Sequence, residues 1–470
     1  MMRYSTDLCI IGAGSGGLVL ASGAVQLGAR VTLIEGALMG GDCLNYGCVP
    51  SKALLAAAKR VQMVRQGGPG LAGAESTVDF PAVMARVHEA IADIAPHDSQ
   101  ARFEALGVRV LRAFARFTAP DRVEAGSETI TARRFVIATG AHAIVPDLPG
   151  LDQVPYYTNE TIFTLTARPQ ALVILGAGPV AVEMAQAFAR LGAKVTMVAR
   201  SRVMGQDDRE AVAVVTDRLR AEGVMILEGC HATAVNRDGD GLGVALSDGS
   251  VLNASHLLIA MGRAPAIKRL NLAAAGVQVK DGGVVVDASL RTTNRKVFAI
   301  GDVAGGPQFT HLAAYQAGLV LRQAVLGLPA RSKAALPRVT YTEPELAQIG
   351  PTEAEARAIH GTDLTVLRED FSHMDRAITD QTTEGFIKLM IVNGRPVGAT
   401  LVGAHAGEQI SLWALALAGK VKLSTIAGMV APYPTLSEIS KRAAGAYFSP
   451  RLFGSAWIKT LVRVVQRLLA

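Results

Sequence analysis

The stretch Gly40-Gly41-Asp42-Cys43-Leu44-Asn45-Tyr46-Gly47-Cys48-Val49-Pro50-Ser51-Lys52 decides how the chain is read. It holds two of the four cysteines, with a lysine shortly after them, and residues 53–66 read as an alanine-rich helix. On a helix or its first turn this spacing brings two sulfurs together, so the pair is able to cycle between dithiol and disulfide. Two plainer readings compete. A zinc site takes about four ligands, yet Cys9 and Cys230 each stand alone in an apparent strand and the nearest histidine in sequence is His88. A structural disulfide belongs to oxidising compartments, and nothing in the sequence points to secretion. A redox pair is therefore the reading taken forward, with Cys9 and Cys230 as core thiols.

Upstream of the pair, residues 7–11 form an apolar strand that runs into Gly12-Ala13-Gly14-Ser15-Gly16-Gly17, then an apolar helix, then a strand at 31–34 ending in Glu35. Strand, glycine turn, helix and acid in that order make a dinucleotide fold. Gly12 allows the turn, Gly14 admits a pyrophosphate, Gly17 lets helix and strand pack, and Glu35 accepts from a ribose hydroxyl. The uncharged run 8–29 has the length of a membrane span, but its glycines fit the phosphate loop better. A second unit of this kind starts at 171–175, with Gly176-Ala177-Gly178-Pro179-Val180-Ala181 as its loop. The loops lie about 160 residues apart, a duplication of fold type with two nucleotides to hold.

The second unit ends differently. At the distance from Gly176 that Glu35 keeps from Gly12 stands Ala199, followed by Arg200 and Arg202. A carboxylate there binds a free 2′-hydroxyl and repels a 2′-phosphate, whereas guanidinium groups pair with phosphate. Arg200 and Arg202 therefore point to NADPH rather than NADH, against the plain alternative that both are merely solvated.

At 470 residues the chain is too long for one core, and size alone suggests about three domains. Hydrophobic residues make up 50% and charged residues 19%, which excludes a disordered chain. The formal charge of +7 raises nucleic acid as a partner, but the main body has no basic cluster interleaved with aromatics. Part of the excess lies beyond residue 450, where Arg451, Lys459, Arg463 and Arg467 stand without an acid. The opening residues lack a signal-peptide layout, so a cytoplasmic location is expected.

The run from Cys43 to Lys52 resembles the redox-active segment of the flavin-dependent pyridine nucleotide-disulfide oxidoreductases, the class I group that holds glutathione reductase, dihydrolipoyl dehydrogenase and mercuric reductase. The resemblance implies an α/β protein with two Rossmann-like dinucleotide-binding domains, for FAD and NAD(P), plus a C-terminal α+β dimerisation domain. It sets an FAD-binding domain at 1–150, an NAD(P)H-binding domain at 151–270, a central segment completing the FAD site at 271–336, an interface domain at 337–448 and a basic amphipathic tail at 449–470. Residues 134–140, with Thr139 and Gly140, resemble the second flavin fingerprint, and residues 297–302, with Gly301 and Asp302, the third. Gly41 joins Gly12, Gly14, Gly17 and Glu35 in the implied FAD set; Gly262 joins Gly176, Gly178, Ala181, Arg200 and Arg202 in the NADPH set. Cys48 is implied to face the flavin and Cys43 the cleft, with Lys52 and Glu183 paired beside the ring. Without the resemblance, those two are ordinary surface charges.

One departure bears on the substrate. Where the glutathione and lipoamide enzymes carry a histidine with a glutamate five residues later, this chain has Tyr433 and Glu438. Tyrosine with an ordinary pKa near 10 is a poor base at neutral pH. Mercuric reductases resemble this chain in having a tyrosine here, although they usually carry a C-terminal cysteine pair that is missing after Cys230. The expected activity is FAD-dependent NADPH oxidation, through Cys43 and Cys48, by a small disulfide or thiol-bound metal ion in a homodimer. No metal is permanently bound; Cys43 and Cys48 are transient ligands at most. Two rivals remain: a dihydrolipoyl dehydrogenase, and a membrane-surface redox adaptor for a protein partner. For the tail, packing on the body or the dimer mate is preferred to contact with an anionic membrane.

Overall fold

The computed structural model describes residues 2–75 and 77–469, in two compact units: 1–200 with 229–333, and 201–228 with 334–470. At the centre of the first unit is a parallel sheet in the order Arg109–Leu111, Val31–Ile34, Met2–Ile11, Glu128–Ile137 and Val297–Ala299. Strands Val31–Ile34 and Val297–Ala299 are buried at every position, as continuous apolar runs covered on both faces must be. An antiparallel pair, Ala115–Ala119 and Arg122–Ala125, extends from the first half of Glu128–Ile137. There Phe117 packs edge-on against Phe135, ring centroids 5.5 Å apart and both fully buried. Burying each such side chain contributes about 1.5–3 kcal/mol. Cys9 is fully enclosed in this core, and burial pushes its thiol far above the usual range. That fits an inert filler rather than a reactive group.

Helix Ser15–Gln26 lies against helix Thr310–Ala324. Small residues make the approach close: a Cβ on Gly16 would stand 3.3 Å from the Ala313 Cβ. A second parallel set, Lys194–Ala199, Ala171–Leu175 and His256–Ile259, carries helix Pro179–Arg190 and an antiparallel meander, Ala232–Asp238, Gly241–Leu246 and Val251–Ala254.

The second unit is built on a five-stranded antiparallel sheet in the order Arg338–Thr340, Glu345–Ile349, Arg395–Gly403, Phe386–Val392, Leu364–Asp370. Helices Ala406–Ala418 and Glu438–Ala446 contribute to its core, where the buried Trp413 donates from Nε1 to Ser440 Oγ at 3.1 Å. The sequence suggests a turn at 404–408. The turn is present at 404–405, where His405 takes a left-handed φ of 56°, and helix Ala406–Ala418 starts directly after it.

Residues 201–228, which the sequence reading assigns to the nucleotide domain 151–270, group with this second unit. Lys388 explains why. Its ammonium is buried on strand Phe386–Val392 and reaches Asp208 Oδ2 at 3.1 Å, Glu210 Oε1 at 2.9 Å and Glu353 Oε2 at 2.8 Å. Burial works against its charge, but the hydrogen bonds it donates to Glu353, Glu210 and Asp208 outweigh it and raise the lysine pKa. Removing one partner of such a buried set typically costs about 3–5 kcal/mol. Arg218 pairs with Glu384 in the same seam. Among the described residues, no helix is long and apolar enough to cross a membrane. Helices Ser449–Phe453 and Ala456–Leu468 follow with no buried residue, and Arg451 lies over the Tyr447 ring.

Candidate active site

The redox segment folds as two helices rather than one. Cys43 sits in the short helix Gly41–Asn45, the chain breaks at Tyr46 and Gly47, and Cys48 opens helix Cys48–Gln66. The break turns the two thiols toward each other, and in this structure both are free. Gly41 is required by its neighbours: its φ is 60°, and a Cβ would stand 2.7 Å from the Cα of Gly14. The redox segment thus rests directly on the phosphate loop, with Gly40 donating to the Ala13 carbonyl at 2.9 Å. Within that loop a Cβ on Gly17 would fall on the Gly12 carbonyl oxygen, while the side of Gly14 is open apart from Gly41. Gly17 is therefore a packing position, while Gly14 keeps an open side.

The two thiols are unlike. Cys48 is held down to about pH 6 by a hydrogen bond from Cys43, helped by Thr310 and by the charge of Lys52, against opposing burial and Asp42. Cys43 moves far up, because its proton is shared with Cys48 and its site is partly desolvated. A single proton therefore stays on Cys43 while Cys48 is the thiolate. Thr310 Oγ1 lies 3.3 Å from Cys48 Sγ, at the first residue of helix Thr310–Ala324, whose N-terminal dipole favours a negative sulfur. The expected result for the reduced protein is an iodoacetamide reaction rate that rises with pH through a midpoint near 6. Cys43→Ala should move that midpoint upward by removing the donor; an unchanged midpoint would show that the neighbouring thiol does not set it.

Lys52 and Glu183 come together across 131 positions of sequence. Lys52 Nζ donates to Glu183 Oε2 at 2.8 Å, and Glu183 is buried on helix Pro179–Arg190. A buried carboxylate is costly unless paired, so the pair fixes the ammonium beside the redox helix. Glu35 accepts from the backbone N–H groups of Ala13 at 2.7 Å and Ala37 at 2.6 Å. Each of its oxygens retains a second lone pair for a hydroxyl donor.

Thr139 donates to the Ala266 carbonyl at 2.8 Å, and Ala266 N–H donates to the Gly140 carbonyl at 2.9 Å. Gly301 donates from its backbone to Gln316 Oε1 at 2.7 Å, and Asp302 follows with its carboxyl pKa raised by desolvation. Between the redox segment and Asp302 stands Arg263, which the sequence reading passed over for Gly262. Arg263 Nη1 donates to Asp42 Oδ2 at 2.9 Å and Nη2 to the Ala141 carbonyl at 3.0 Å. Its buried Nε makes no hydrogen bond among the described residues, the Asp302 carboxylate standing 3.7 Å away. A buried donor without a partner, an open glycine turn and a half-desolvated aspartate are what a dinucleotide with diphosphate and polyhydroxyl groups would satisfy.

In the second nucleotide unit Gly176 packs under Ala260, Gly178 faces open space at the start of helix Pro179–Arg190, and Ala181 is buried within it. Gly262 has a left-handed φ of 117°. Ala199 ends its strand buried, and Arg200 is exposed immediately after it.

Arg202, Tyr433 and Glu438 belong to the second unit. Tyr433 is exposed and donates to Asp375 Oδ2 at 2.7 Å. The Asp375 hydrogen bond and charge, with Glu438 adding to them, raise the phenol pKa. Glu438 begins helix Glu438–Ala446 and has Arg442 3.8 Å away. Thr310, Arg263 and Asp375 are the residues that sequence reasoning missed. Each acts through a partner distant in the chain, so no local motif announces it. Among the described residues, no group of three or more histidine, cysteine or acidic side chains is arranged to hold a metal ion.

Comparison with known proteins agrees with this geometry. Residues 6–317 match the pyridine nucleotide-disulphide oxidoreductase family and residues 336–444 its dimerisation domain. The chain is 35% identical to the mercuric reductase of Streptomyces lividans over 460 residues, covering 94% of this chain and 96% of that protein. It is 33% identical to the dihydrolipoyl dehydrogenase of Bacillus subtilis (strain 168), covering 93% and 96%. Among solved structures it resembles the Cu(II) complex of the HOCl-induced flavoprotein disulfide reductase RclA from Escherichia coli. The TM-score is 0.85 at 28% identity, covering 94% of this chain and 99% of that one. With two glycine loops, a cysteine pair beside the first and a dimerisation domain, the chain belongs to the pyridine nucleotide-disulfide oxidoreductases, flavoprotein enzymes that use FAD and NAD(P)H.

Proposed function

We propose that this enzyme uses NADPH to reduce a thiol-bound metal ion or small disulfide through the Cys43 and Cys48 pair, with metal-ion reduction the better supported of the two. The observation that carries the preference is Tyr433. Its hydroxyl donates to Asp375 and its pKa is raised, so at neutral pH it keeps its proton and is neither a base nor an effective proton donor. Reduction of a disulfide substrate needs protons delivered to departing thiolates, whereas a metal ion bound by two sulfurs accepts electrons without that step. Relatives named mercuric reductase and a structural neighbour described as a Cu(II) complex support the same choice.

In this reading residues 1–150 and 271–336 hold FAD, 151–270 hold NADPH and 337–448 form the subunit interface, in the cytoplasm. Gly12, Gly14, Gly17, Gly41, Glu35, Thr139, Gly140, Gly301, Asp302 and Arg263 would hold FAD, which supplies two-electron transfer between nicotinamide and the cysteine pair. Gly176, Gly178, Ala181, Gly262, Arg200 and Arg202 would hold NADPH, the arginines taking the 2′-phosphate. Lys52, fixed by Glu183, keeps a positive charge beside Cys48, and Thr310 donates to its thiolate. Cys43, the more basic sulfur, gives up its proton and takes the substrate. Tyr433 and Glu438 of the partner subunit close the site.

Anaerobic NADPH oxidation by the purified enzyme, with thiol-complexed Hg²⁺, Cu(II) and lipoamide as parallel acceptors, tests the reading. A missing general acid costs roughly 10²–10⁴ in rate, so a metal acceptor should outrun lipoamide by at least about 10². Comparable or faster turnover with lipoamide would overturn the preference and favour a dihydrolipoyl dehydrogenase.

A further inference from the structure

Beyond the redox site, helix Ala456–Leu468 leaves most of an apolar face uncovered among the described residues. Its start is fixed by Ser455, whose hydroxyl accepts from Ile458 N–H at 3.3 Å, and none of its residues is buried. At about 100° per residue, Trp457, Ile458, Leu461, Val462, Val464, Val465 and Leu468 fall within one arc of roughly 160°. Lys459, Arg463 and Arg467 lie on the opposite arc with Thr460 and Gln466. Trp457 is 70% exposed and Leu468 80%. A soluble helix exposing such a face is anomalous, since large contiguous apolar patches mark contact surfaces.

We infer that this helix seats the enzyme on an anionic lipid surface, with its apolar face in the acyl boundary and its three cations against the headgroups. Charge decides between the possible occupants. Residues 449–470 contain no aspartate or glutamate. Pairing two copies of the helix through their apolar faces would cover those faces but leave both cationic rows facing outward with nothing in the helix to neutralise them. A surface bearing phosphates offers both the apolar layer and the counter-charge. An aromatic and aliphatic face opposed by a cationic one is the composition of helices that lie in a membrane interface. A helix of thirteen residues is marginal alone in water, and burial of one face would stabilise it.

Flotation of the full-length holoenzyme with phosphatidylcholine vesicles, with and without phosphatidylglycerol, tests the inference. The wild type should float with the anionic vesicles only. Each cation near such a surface is worth roughly fivefold in binding, so Lys459→Gln with Arg463→Gln and Arg467→Gln should lower the bound fraction by about 10². Leu461→Glu with Val465→Glu should abolish flotation while NADPH-dependent turnover, measured as a check on folding, stays unchanged. Absence of flotation, equal flotation with neutral vesicles, or retention by the Glu variant would overturn the inference. So would a fall in oligomeric state of the Glu variant in sedimentation analysis, because the face would then cover a second copy.

Discussion

Cys43→Ser should leave NADPH-driven reduction of the bound cofactor intact and lower turnover of any thiol-dependent acceptor by at least about 10³. The attacking group is lost, because a serine hydroxyl is a far weaker nucleophile than a thiolate and cannot form a disulfide or a soft metal bond. A factor of 10³ corresponds to about 4 kcal/mol of barrier. Cofactor reduction should survive because Cys48, not Cys43, carries the thiolate, and the serine hydroxyl still donates to it. Stopped-flow absorbance under anaerobic conditions reports the first half-reaction and steady-state NADPH oxidation the second. Full turnover in the variant would end the redox-pair assignment.

Arg200→Glu should raise the KM for NADPH by roughly 10- to 100-fold and leave the KM for NADH little changed. On the proposed reading, the substitution would replace a charge-assisted phosphate contact with repulsion. Arg200 is exposed, so water and salt screen part of the effect and the lower end of the range applies at high ionic strength. Parallel KM values for the two nucleotides give the answer. Equal shifts would mean that Arg200 does not read the 2′-phosphate.

Much of the first unit was legible because its signals are local. A glycine turn between an apolar strand and a helix is read from neighbours in sequence, and strands 31–34 and 171–175 fell where the pattern put them. The redox segment was legible as chemistry but not as shape. Its two sulfurs meet across a break at Tyr46 and Gly47 rather than along one helix. The partners Thr310, Arg263 and Asp375 were invisible because tertiary folding alone brings them to Cys48, Asp42 and Tyr433. The grouping of residues 201–228 with the second unit was hidden for a related reason. Nothing in their sequence reveals that Lys388, 180 positions from Asp208, is the buried charge they satisfy.

The contact between Gly41 and Gly14 also limits how this enzyme could diversify. Two stretches of main chain meet there without side chains between them, so neither can be tilted, lengthened or enlarged without displacing the other. A change that reshaped the cysteine turn to admit a bulkier acceptor would be felt first as weaker nucleotide loading. On the proposed reading, new acceptors would be gained at positions free of that seam, and a substitution such as the tyrosine at 433 would alter the chemistry offered to the acceptor while leaving the electron-delivering half untouched.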